Sequence, residues 1–173
     1  MSNISQAVGE VTALFPEAYK DQCDIVVKGF KQAYEGVLDG KVRESSSFNT
    51  THANSYLKYA KEKDPAKFEY FGFGLGYIVS VMENKPREFL GDPSDNSTLI
   101  LAIQNVDIIS THAQHTGYEE NLTLGPQIGH ALQEYMRRHA RKWHQTLQSM
   151  SNGFSQEERK GFQEMEARLR GIL

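Results

Sequence analysis

The sequence predicts an all-α domain of six to eight helices, and three observations carry the prediction. Apolar residues recur at three- and four-residue spacing along nearly the whole chain. Helix start and stop signals bracket these rows: Pro16, Pro65, Pro86 and an S-x-x-E capping box at Ser155 and Glu158. The one stretch that could be read as a strand, "FEYFGFGLGYIVSV", where glycine and aromatic residues alternate, has no partner strand elsewhere, and isolated pairs are unstable. At 173 residues the chain suffices for one full hydrophobic core and is short for two.

Taken in order, a first helix covers Ser5 to Leu14 and stops before Pro16. A second runs from Asp21 to Leu38 with Val26, Val27, Phe30, Tyr34 and Val37 before Gly40. Polar "RESSSFNTTH" reads as a corner whose only large apolar residue is Phe48, and a short helix follows over Ala53 to Lys61. Asp64 as N-cap and Pro65 at the first helical position open the next helix, Ala66 to Asn84. Within it Gly72, Gly74 and Gly76 each cost about 1 kcal/mol of helix propensity relative to alanine, which close approach of another backbone would offset. "ENKPREFLGDPSDN" reads as a loop, and Asp95 or Ser97 starts a helix over Leu99 to Thr116. A long helix over Leu124 to Met150 carries Ile128, Ala131, Leu132, Tyr135 and Met136, with Trp143 and Leu147 extending the row. The last helix, capped by Ser155 and Glu158, buries Phe162, Met165, Leu169 and Leu173.

Composition narrows the function classes. The 19 basic and 22 acidic side chains give a net charge of −3, which supplies no electrostatic footprint for nucleic acid. The basic cluster "RRHARKW" falls late in a helix, where cations complement the helix dipole. Cys23 is the only cysteine, so neither an intramolecular disulfide nor a CxxC zinc pattern is available. The start of the chain lacks a signal-peptide pattern, and no apolar run approaches the ~20 residues that span a bilayer. These features predict a cytoplasmic protein without membrane partners.

The helix "LILAIQNVDIISTHAQHTGY" poses the functional question. At about 100° per residue, Leu99, Ala102, Ile103, Val106, Ile109 and Ala113 share the core stripe. Leu101, Ile108, His112 and His115 fall within roughly 60° of one another on the opposite face. Sharing that face with Leu101 and Ile108 predicts burial of both histidines, and a buried imidazole needs a partner or a metal. His112 has no carboxylate at H-x-x-x-E spacing, and Glu119, four residues after His115, reads with Glu120 as part of the following loop, so a closed zinc site is disfavoured. The chain carries no G-x-S-x-G, no P-loop and no Rossmann glycine run. His52, His130, His139 and His144 read as surface or helix-end residues.

The order of features from Val26 to Leu173 resembles the globin family. The pieces that carry the resemblance are "VVKGFKQAYEGVLDG", Phe48 in the corner, "FGFGLGYIVSVMEN", the helix with His112 and His115, "IGHALQEYM" and "FSQEERKGFQEMEARL". Ile108 stands four residues before His112, and Gly129, Ala131 and Leu132 match the start of a penultimate globin helix. The resemblance implies a single globin-like domain over residues 1–173, with 1–18 as an N-terminal extension and first helix. It implies haem b packed against the second face, with iron held by His112 or alternatively His115. Phe48, Tyr70, Phe71, Leu75, Leu101, Ile108 and Tyr34 would then surround the cofactor, and Tyr70 or Tyr34 could donate a hydrogen bond to bound O₂. No histidine lies between His52 and His112, so the distal side departs from the common pattern.

The expected function is therefore a haem protein binding a diatomic gas such as O₂ for storage, transport or sensing, homo-oligomerisation being compatible with it. The alternative is a haem-less globin-like sensor or interaction domain that binds an apolar ligand such as a fatty acid. An enzymatic, peroxidase-like role ranks third, because no arginine accompanies the distal helix.

Overall fold

The helical rows that fall in residues 4–40, 65–114 and 125–173, the part described by the computed structural model, form six α-helices. They are α1 (Ile4–Thr12), α2 (Lys20–Leu38), α3 (Pro65–Asn84), α4 (Pro93–Gln114), α5 (Gly125–Met150) and α6 (Gln156–Arg168). Short 3₁₀ turns, Glu17–Tyr19 and Ser151–Gly153, precede α2 and follow α5. The all-α class and the helix number agree with the sequence reading, and no strand occurs among the described residues. The short helix expected over Ala53 to Lys61 lies outside them.

Two local expectations need correction. The fourth helix begins at Pro93, not at Asp95 or Ser97, because the Asp92 carboxylate accepts hydrogen bonds from the backbone N–H of Ser94 at 2.9 Å and Asp95 at 3.1 Å. Asp-Pro is thus the start signal here, as Asp64-Pro65 was read to be for α3. The link between α3 and α4 is also more than a loop, since Phe89 and Leu90 are buried in the core.

The tightest packing is between α2 and α3. A Cβ added to Gly72 would fall 2.0 Å from the Val26 carbonyl oxygen, and one added to Gly76 would fall 2.2 Å from that of Phe30. One turn further, Ser80 Oγ donates to the Tyr34 carbonyl at 2.9 Å. Both series advance four residues at a time in the same direction, so α2 and α3 run parallel and in register over three turns. From the other side, a Cβ on Gly29 would lie 2.1 Å from the Glu69 carbonyl oxygen. The expected reason for the glycines, close approach of another backbone, holds at Gly72 and Gly76.

The remaining helices close the core around this pair. Asp107 of α4 accepts from Arg137 of α5 at 2.8 and 3.1 Å, and Gln133 Nε2 donates to Thr111 Oγ1 at 2.7 Å, which sets α4 and α5 antiparallel. The α4 stripe Leu99, Ala102, Ile103, Val106 and Ile109 is buried as the periodicity requires. Helix α6 lies along α4: Asn96 Nδ2 donates to the Gly161 carbonyl and Gln104 Nε2 to that of Arg168. Its capping box is formed, with Ser155 and Glu158 exchanging side-chain and backbone bonds. Glu158 also accepts two bonds from Arg87, whose guanidinium reaches the Gly153 carbonyl and lies 5.1 Å from the Phe154 ring centre.

Two stability outcomes follow from this packing. Gly72→Ala should lower unfolding free energy by about 3 kcal/mol or more, because backbone is what its Cβ meets, whereas Gly9→Ala in α1, with open space around it, should raise it by about 0.5–1 kcal/mol. Chemical denaturation of both variants checks the opposite signs.

Acid should weaken the fold through Glu158. The Arg87 guanidinium, helped by the Ser155 backbone N–H, holds its carboxyl down to about 2 from an ordinary 4.5. A depressed carboxylate contributes stability that is complete above about pH 5 and lost as the pH falls toward 2. Glu158→Gln should lower the neutral-pH melting temperature and flatten this part of the acid profile, as read by thermal unfolding between pH 7 and 2.

Candidate functional site

The register of α2 on α3 places the Tyr34 side chain beside Glu83, one turn beyond Ser80. Tyr34 Oη donates to Glu83 Oε2 at 2.9 Å, although Tyr34 is fully buried. The other carboxylate oxygen, Oε1, lies 3.1 Å from Nε2 of His139 on α5. Nδ1 of the same ring lies 3.0 Å from the Tyr135 carbonyl oxygen. Both ring nitrogens therefore face acceptors, and the arrangement is satisfied when the ring carries two protons or when Glu83 holds the second one. The result is one hydrogen-bonded chain, Tyr34 to Glu83 to His139, joining three helices.

Burial and charge tune this chain. Desolvation, with neighbouring Glu83 and Glu10 adding to it against a bond from Asn84, pushes the Tyr34 phenol up to about 12. The Tyr135 phenol is raised further by burial, then by Glu10, Glu83 and Tyr34. Its ring centre is 4.4 Å from that of His139, and its buried hydroxyl has no hydrogen-bond partner among the described residues. Both phenols stay protonated across the ordinary pH range, and Tyr34 stays a donor to Glu83.

The Glu83–His139 end of the chain opens onto a cleft of about 330 Å³ between α1, α3 and α5. Ala7, Met82, Pro86 and Trp143 supply apolar walls, and Gln6, Glu10, Lys142 and Thr146 the outer polar groups. Trp143 is fixed by its indole N–H, which donates to the Pro86 carbonyl at 2.7 Å. Among the described residues neither Glu10 nor Lys142 makes an ion pair.

The residues expected around a haem are placed differently from one another. Tyr34, Phe71 and Leu75 are fully buried in the core, with the Tyr34 hydroxyl directed to Glu83. Leu101 is half-buried, and Ile108, expected to be buried, is 42% exposed, because α5 and α6 engage other faces of α4. Phe48 and His115, and the side chains of Tyr70 and His112, lie outside the described residues. Of the residues expected around a haem, none whose side chain is among the described residues lines the α1–α3–α5 cleft. Among the described residues, no three His, Cys, Asp or Glu side chains gather as a metal would need.

His139 and His144 are not the surface or helix-end residues expected. His139 is only 15% exposed in mid-helix, and His144 Nε2 lies 2.8 Å from Glu166 Oε2 on α6. The signal was present: His139 sits four residues after Tyr135 and four before Trp143, on the same stripe. His130 is exposed as expected, and no described helix is long and apolar enough to cross a membrane. No family model, no curated protein and no solved structure matches the chain.

Removing the Tyr34 hydroxyl tests the chain directly. Tyr34→Phe should cost about 1.5–3 kcal/mol, because the acceptor it leaves is a carboxylate. In a double-mutant cycle with His139→Ala, read by denaturant unfolding, the two changes should be non-additive through their shared partner Glu83.

Proposed function

We propose that the chain is a haem-less helical sensor or interaction domain whose ligand is a small molecule held in the cleft between α1, α3 and α5. The observation that carries this is the cleft itself: about 330 Å³, at the small end of ligand pockets, with an indole wall and a hydrogen-bonded Glu83–His139 pair inside. Apolar surface would supply affinity, and the few polar groups would orient the ligand. The side chains of Tyr34, Phe71 and Leu75 already fill the core, so as a set they do not fit the wall of a haem pocket. The cleft lacks a nucleophile activated by a base, which favours binding over catalysis.

A haem protein binding a diatomic gas is the second reading. What favours it is the strip of Leu101 and Ile108 on α4, which leads, one turn on, to His112.

One experiment separates the two. Haem is titrated into the purified chain and followed at the Soret band. In parallel, emission from Trp143, the only tryptophan, is followed under a panel of small metabolites. The expected outcome is no specific haem complex and a saturable change in Trp143 emission that Thr146→Tyr, which narrows the cleft, abolishes. A histidine-ligated ferrous–CO spectrum that is lost in His112→Ala or His115→Ala would overturn the proposal in favour of haem.

A further inference from the structure

The polar groups of the cleft fall into two sets. The inner pair, Glu83 and His139, is joined by its own hydrogen bond and braced from behind by Tyr34 and the Tyr135 carbonyl. Its polar atoms are engaged within the protein. The outer pair is different: Glu10 on α1 and Lys142 on α5 both line the cleft, carry opposite charges and form no ion pair with each other or with any described residue. Ala7, Met82, Pro86 and the Trp143 indole line the same cleft.

We propose that this cleft seats a small zwitterion with an apolar body, of the chemical class of the α-amino acids; the assignment rests on the cleft being the ligand seat. The ligand's ammonium group meets the Glu10 carboxylate and its carboxylate meets Lys142, each a charge-assisted hydrogen bond. Its side chain lies against Trp143 and Met82, where burial and the flat indole face favour apolar or aromatic groups. A ligand of one charge would engage only one of Glu10 and Lys142, so the site discriminates by offering a charge-assisted bond to each end of a zwitterion. The Glu83–His139 pair already engages Tyr34 and the Tyr135 carbonyl, which leaves the outer pair to meet the charged ends of such a molecule. Because Glu10 is on α1 and Lys142 on α5, occupancy also ties α1 to the helical core.

Trp143 fluorescence reads occupancy without interference from a second tryptophan. The full chain is titrated with the twenty standard amino acids, and L-phenylalanine is compared with 3-phenylpropionate, which lacks the ammonium group, and with 2-phenylethylamine, which lacks the carboxylate. At least one apolar or aromatic amino acid should give a saturable response, and L-phenylalanine should bind at least about tenfold more tightly than either analogue. Glu10→Gln should weaken L-phenylalanine without changing 3-phenylpropionate, and Lys142→Gln should weaken L-phenylalanine without changing 2-phenylethylamine. Both residues are exposed, and circular dichroism verifies that the variants fold. Equal affinity for the zwitterion and its single-charge analogues, or no response to any amino acid, overturns the zwitterion assignment. A saturable response that survives Thr146→Tyr overturns the cleft as the ligand seat, which is a different failure.

Discussion

The contact of the α2 backbone with the α3 backbone is the constraint from which the candidate site follows. Helix axes come this close only where side chains are missing, and Gly29, Gly72 and Gly76 remove them at successive points of contact. Each glycine weakens its own helix, and the parallel seam offsets that with dispersion contacts along three turns and with the Ser80 bond to the Tyr34 carbonyl. The seam also fixes register. A slip of one turn would move the Tyr34 hydroxyl away from Glu83, leave a buried phenol without its acceptor, and take from His139 a carboxylate already oriented to receive it.

Three charged contacts then hold the outer elements at defined positions. Arg87 binds the α3–α4 link to the capping box of α6, Asp107 joins α4 to Arg137 of α5, and Glu83 joins α3 to His139 of α5. Each is shielded on one side by the core, so each specifies geometry more than an exposed ion pair would. Trp143 is anchored separately, its indole N–H donating to the Pro86 carbonyl. The mouth of the cleft is lined by the more exposed residues Gln6, Glu10, Lys142 and Thr146.

How much of this was legible in the sequence differs by feature. Helix existence and the core stripes of α2, α4 and α5 were readable because burial imposes a 3.6-residue period, and the Ser155–Glu158 box because capping chemistry is local. The glycines of α3 were recognised as a place of backbone approach, but their partner and its parallel direction were not, since both depend on residues 46 positions away. The α1–α3–α5 cleft was not read from the sequence for a similar reason. Two histidines on one apolar face drew attention to α4, where Ile108 proves exposed, while His139, in the C-terminal half of its helix, reads as a surface or helix-end residue. Its position between Tyr135 and Trp143 argued for the core, yet Glu83 and Glu10 come from distant helices that no periodicity links to it.

The parallel seam has a consequence for the order of folding. Antiparallel neighbours such as α4 and α5 meet after closing the short connection 115–124, whereas the Val26–Gly72, Phe30–Gly76 and Tyr34–Ser80 contacts of the α2–α3 seam each close a loop of 46 residues. By the logarithmic dependence of closure entropy, that is about 1.4 kcal/mol more than closing a ten-residue link. The α4–α5 pair can thus assemble early from local contacts, and the seam forms late, when all three turns engage together. The same glycines that let the helices touch offer no side chain to hold a partial encounter, which makes this step all-or-none. Tyr34 reaches Glu83 only once it is complete, so the cleft is among the last parts of the molecule to be built and among the first to be lost when the fold opens.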